Sequence, residues 1–166
     1  MDNHVHLTVI PKKESSLSDG IGRLHHDFAC WQNIQRGKTG HLWQGRFYSC
    51  PVEEDRVLQV LQYIELNPVR ARMVKNGWEW AWSSARAHIT GQDPSNLLNM
   101  NYWDRLIEKD KWKFILEQTA IEESIQAQIR RITMQGFLLG SEATARRLEL
   151  ELGMQLLPKK RGRKIR

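Results

Sequence analysis

The chain has 166 residues, 40% of them hydrophobic and 27% charged, the make-up of a water-soluble globule rather than a disordered chain. No apolar run approaches the roughly 20 residues that span a bilayer, and the start lacks the basic, apolar, small-residue order of a signal peptide. The net charge of +6 sits at the end: Lys159 to Arg166 hold six Lys or Arg and no acid, and taking these from the 25 basic residues leaves 19 against 19 acids. The body is therefore neutral and the tail cationic, an electrostatic handle for nucleic acid or simply a solvated end.

In chain order, Asn3-His4-Val5-His6-Leu7-Thr8-Val9-Ile10 alternates polar and apolar residues and predicts a strand. His4, His6 and Thr8 share one face, and Val5, Leu7 and Val9 the other, with the apolar face expected on a core. Two imidazoles side by side suit a shared metal ion; equally, a half-exposed strand can carry histidines with no ligand. After a turn at Pro11–Ser16, the stripe Leu17, Ile21, Leu24, Phe28 and Trp31 predicts an amphipathic helix, loosened early by Gly20 and Gly22. His25 and His26 lie off that stripe and read as solvated surface.

Gly37-Lys38-Thr39-Gly40 ends the helix, and His41 to Cys50, rich in aromatic residues, predicts a second strand with a bulge at Gly45. Arg46 among those aromatics suits a phosphate or nucleotide, or is an exposed strand charge beside core rings. Cys30 and Cys50 show no metal or redox spacing and read as reduced thiols of a cytosolic protein.

A second helix is expected from Glu53 or Asp55, with the arc Val57, Leu58, Leu61 and Ile64, closed by Pro68. Tyr63 and Asn67 are four apart and stack on a flank away from that arc. A helical tyrosine is ordinarily a packing residue; a reactive role requires this flank to meet His4 and His6. Trp78, Trp80 and Trp82 are expected to clamp the following short helix onto the body. Residues 91–99 read as a linker, and helices are expected at about 103–109, 111–119, 121–134 and 141–152. The last pair, with Ser141 as a cap, has the form of a helix–turn–helix, usually a structural arrangement.

Four motifs occur in order: His4-Val5-His6, Leu42-Trp43-Gln44-Gly45-Arg46-Phe47, Tyr63-Ile64-Glu65-Leu66-Asn67-Pro68-Val69-Arg70-Ala71 and Trp82-Ser83-Ser84. Together they resemble the single-tyrosine HUH transposases, and more narrowly the REP-associated tyrosine transposases. The resemblance covers about residues 1–90 and extends weakly through Leu139-Gly140-Ser141-Glu142 into the tail. It implies an α/β (α+β) fold, with a mainly antiparallel sheet and packed helices in residues 1–90. A helical appendage of helix–turn–helix, DNA-binding form is expected at 100–157, then a basic tail at 158–166.

The resemblance further implies that Tyr63 is the nucleophile and that His4, His6 and Asn67 bind a divalent metal, Mg²⁺ or Mn²⁺. DNA is the implied partner, as single strands and hairpin-bearing repeats, through Arg46, Arg70 and the tail residues Lys159, Lys160, Arg161, Arg163 and Lys164. Arg161-Gly162-Arg163 itself resembles the core of an AT-hook. The implied reaction is cleavage and strand transfer through a 5′-phosphotyrosine; the implied location is cytoplasmic, at the nucleoid, with neither membrane nor small-molecule substrate. Monomer and homodimer both remain open. Family members carry a strand and a helix ahead of the histidine motif, whereas this chain begins at it, so the sheet is expected to lose a strand. A noncatalytic DNA-binding remnant is the alternative.

Overall fold

A computed structural model of the chain describes residues 1, 3–118 and 121–158. They form two compact units, one comprising Thr8–Ser49 and the other joining Met1–Leu7 to the chain from Cys50 onward.

In the Thr8–Ser49 unit a loose, π-type turn at Ser18–Gly22 runs into α1 (Arg23–Arg36). The two glycines fall in that widened turn, as their low helix propensity favours. Gly37 ends α1 in the left-handed region (φ 58°), and Lys38 N–H returns to the Asn33 carbonyl at 2.9 Å. Residues 41–49 fold back onto α1 through Trp43. Its indole N–H donates to the His25 carbonyl (2.8 Å), and its ring stacks on the His25 imidazole at 4.3 Å.

The second unit is helical. A short 3₁₀ turn, Glu54–Arg56, leads into α2 (Val57–Glu65) and the single turn α3 (Asn67–Arg70). Then come α4 (Ala85–Thr90), α5 (Met100–Leu106), α6 (Lys109–Glu117), α7 (Glu123–Gln135) and α8 (Glu142–Leu152). One core joins Val60, Tyr63 and Leu66 to Ala85, Trp103, Trp112, Leu116, Ile129, Ile132 and Leu139. The helices beyond residues 91–99 thus pack on the same core as α2. Ser141 caps α8, its hydroxyl accepting from Thr144 N–H at 3.2 Å.

The expected antiparallel sheet is absent among the described residues; the only ladder contact there is one isolated parallel bridge, Val52 to Leu139. A strand exists only beside another backbone that takes up its N–H and C=O groups. Neither His4–Ile10 nor His41–Cys50 has such a neighbour, and both run as irregular chain. The face assignment also inverts. His4 and His6 are half-buried, whereas Val5, Leu7 and Val9 are 61%, 55% and 45% exposed. Of the tryptophans expected to clamp α4, Trp78 packs on the core but Trp82 is exposed.

Candidate active site

The site is assembled on the α2–α3 junction. Pro68 has no N–H to continue the helical ladder, so the helix breaks at Leu66 (φ −86°, ψ −3°) and resumes at Asn67. Asn67 therefore opens the next helical turn, four residues beyond Tyr63. Behind the junction, the fully buried Glu65 carboxyl group accepts from Ser84 Oγ (2.5 Å), His88 Nδ1 (2.6 Å) and Trp112 Nε1 (2.9 Å). These contacts tie the end of α2 to α4 and α6.

On the other side of the junction lie the two N-terminal histidines. The His4 and His6 ring centroids are 4.9 Å apart, and the His6 ring meets the Tyr63 ring edge-on at 5.7 Å. His4 Nε2 is 3.0 Å from the Asn67 amide nitrogen, while His4 Nδ1 is 2.6 Å from Asn3 Oδ1. One tautomer satisfies both contacts: Nδ1–H donates to Asn3, and the Nε2 lone pair accepts from Asn67. The Asn67 orientation follows from Arg70, whose Nη2 donates to Asn67 Oδ1 (3.1 Å) and to the Tyr63 carbonyl (2.8 Å).

Tyr63 is only 4% exposed and lies on the inward line of α2 with Val57 and Val60, not on the outer flank that the spacing suggested. The Arg70 guanidinium lies over its ring, Cζ 4.4 Å from the centroid, and Arg130 Nε on α7 donates to its hydroxyl oxygen at 3.2 Å. Burial, then the neighbouring His4 and Arg70 charges, push the His6 imidazole down to about 4; His4 moves the same way, chiefly through burial. Both rings are thereby held neutral, the form in which imidazole ligates a metal. Arg70 is itself shifted down, chiefly by burial; the Tyr63 hydroxyl beside it opposes that shift and Arg130 adds to it.

Residues 1–67 match the family model described as Transposase IS200 like. That stretch, less than half of the chain, is similar to those transposases and supports a transposase-type role in DNA processing. Its last residue is Asn67, so His4, His6, Tyr63 and Asn67 fall inside it and Arg70 and Arg130 outside. Neither the comparison with curated proteins nor that with solved structures gives a match.

Of the residues singled out from sequence, the fold brings together His4, His6, Tyr63, Asn67 and Arg70. Arg46 is exposed and belongs to the Thr8–Ser49 unit. Lys159, Lys160, Arg161, Arg163 and Lys164 lie outside the described residues. Sequence reading missed Arg130, whose one local sign is a basic pair with Arg131 beside the apolar line Ile125, Ile129 and Ile132. It also missed the Glu65 network, whose members are separated by up to 47 positions.

No cluster of three or more His, Cys, Asp or Glu suited to a metal occurs among the described residues. The donors that are present, two neutral imidazoles and a carboxamide one hydrogen bond away, still make a set that a divalent ion accepts. Asn3 on His4 Nδ1 is the kind of outer partner that fixes a ligating tautomer.

Proposed function

We propose that this protein is a single-strand DNA endonuclease and strand transferase of transposase type, acting through Tyr63 at hairpin-bearing repeats of the REP class. What carries the reading is the packing of His6 against the Tyr63 ring at 5.7 Å, with Asn67, one turn on, bonded to His4 at 3.0 Å. In this reading the Tyr63 oxygen attacks a backbone phosphorus, forming an Oη–P bond as the P–O3′ bond breaks. The phenolic proton ends on the released 3′-hydroxyl, and the DNA is left as a 5′-phosphotyrosine. The bond energy is retained, so another 3′-hydroxyl can reverse the step without a nucleotide triphosphate.

His4, His6 and, after rotation of its amide, Asn67 would hold Mg²⁺ or Mn²⁺. Such an ion, when bound, would polarise the phosphodiester and offset growing negative charge. Arg70 orients Asn67 and flanks the tyrosine ring. Tyr63→Phe should abolish a denaturation-resistant adduct with a single-stranded hairpin oligonucleotide while leaving noncovalent binding within about a factor of three. His4→Ala and His6→Ala should weaken Mn²⁺ binding by calorimetry as well as cleavage. An adduct that survives in Tyr63→Phe, or forms equally well in chelator, contradicts this mechanism. The near-complete burial of Tyr63 favours the second reading, a noncatalytic DNA-binding protein, for which every variant binds DNA and none forms an adduct.

A further inference from the structure

The match to the transposase family ends at Asn67, yet the group touching the Tyr63 hydroxyl comes from α7. We propose that Arg130 is a catalytic residue of this site, binding non-bridging oxygens of the phosphate that Tyr63 attacks, with Arg70 as its partner. This assignment rests on the tyrosine chemistry proposed above and extends it to a part of the chain outside the family match.

The first ground is position. Arg130 Nε donates to the reacting oxygen itself at 3.2 Å, so a phosphorus approaching that oxygen comes within reach of the same guanidinium. The second is unused capacity. Arg70 spends Nη2 on Tyr63 and Asn67, but its Nε and Nη1 are buried with no partner among the described residues. Buried donors of this kind cost free energy until an acceptor arrives. The third is uncompensated charge. Two guanidinium groups converge on one tyrosine, and no carboxylate pairs with either among the described residues. An anion between them relieves their repulsion and satisfies the free N–H groups, and the planar fork of arginine suits phosphate oxygens.

Arg130 is also an exposed residue as a whole, unlike Tyr63, although its bond to the Tyr63 hydroxyl is partly buried. It can therefore leave the hydroxyl for an incoming phosphate without repacking α7. As the Oη–P bond forms, negative charge grows on the oxygens that Arg130 and Arg70 face, so the contact strengthens toward the transition state.

The test uses the full chain, ¹⁵N-labelled at arginine, with inorganic phosphate as the probe, beside single-turnover adduct formation at saturating single-stranded DNA. Phosphate should shift the Nε–H resonances of Arg130 and Arg70 together and saturably. Arg130→Gln should melt like wild type, weaken phosphate at least about tenfold and slow adduct formation about a hundredfold, with Arg130→Lys recovering part of the rate. Absence of a phosphate shift at Arg130, or an Arg130→Gln adduct rate within about threefold of wild type, overturns the proposal even if Tyr63 forms the adduct. If wild type forms no adduct, the tyrosine chemistry fails by itself. Arg130 is then judged by phosphate alone: shared, saturable shifts support the anion site and their absence overturns it.

Discussion

His6 shows at the residue scale how burial holds an imidazole neutral. Its pKa falls from 6.5 to about 4 in the fold, chiefly through burial. Between those values the unfolded chain binds more protons than the folded one. This contribution to stability is therefore complete above pH 6.5 and is lost as pH falls toward about 4. His4 has the same sign. Thermal melts across that window should show wild type losing stability on acidification more steeply than His6→Gln; equal slopes would place the pH dependence elsewhere. The motif residues were legible in the sequence because their relations are local. His4 and His6 are two apart and share a side even without a ladder, and Tyr63 and Asn67 are one helical turn apart. Arg130 was not legible, since its meeting with Tyr63 spans 67 positions and follows from how α7 packs.

At the scale of elements, the α2–α3 junction depends on one buried carboxyl group that receives three side-chain donors. Glu65→Ala removes the acceptor for all three and leaves a cavity beside the stacked His88 and Trp103 rings, 3.9 Å apart. The expected loss is about 3 kcal/mol or more, because each orphaned buried donor costs ~1–3 kcal/mol. Chemical denaturation measures it directly. A loss below about 1 kcal/mol, the net worth of one ordinary hydrogen bond, would mean that the network does not hold the junction. Helices α6 to α8 lie within about two residues of their expected spans, as amphipathic repeats and caps such as Ser141 are local signals, whereas α5 begins and ends three residues earlier than expected, started by the Asn99 cap. The two strands did not. Alternation in His4–Ile10 and aromatic richness in His41–Cys50 specify which residues suit a strand, but pairing is supplied by a second backbone, which sequence pattern cannot guarantee.

On the scale of the molecule, the core around Tyr63 is completed by Trp103, Trp112, Leu116 and Ile129, all beyond residues 91–99. A chain ending at residue 99 loses these partners and bares Val60, Tyr63 and Leu66. It should therefore lack the dispersed amide NMR spectrum of the full chain, and a well-dispersed spectrum would show the first part folding independently. The same dependence links chemistry to architecture, since the helices that bury Tyr63 also bring Arg130 to its hydroxyl. The most direct test of the central claim is to react wild type with a single-stranded hairpin oligonucleotide and Mn²⁺, digest the product and map the modified peptide by mass spectrometry. The chain has three tyrosines, and Tyr48 is far more exposed (66%) than Tyr63. A 5′-phosphonucleotide on the peptide containing Tyr63, and on no other, is the expected result; modification at Tyr48 or Tyr102, or no covalent product, would contradict it.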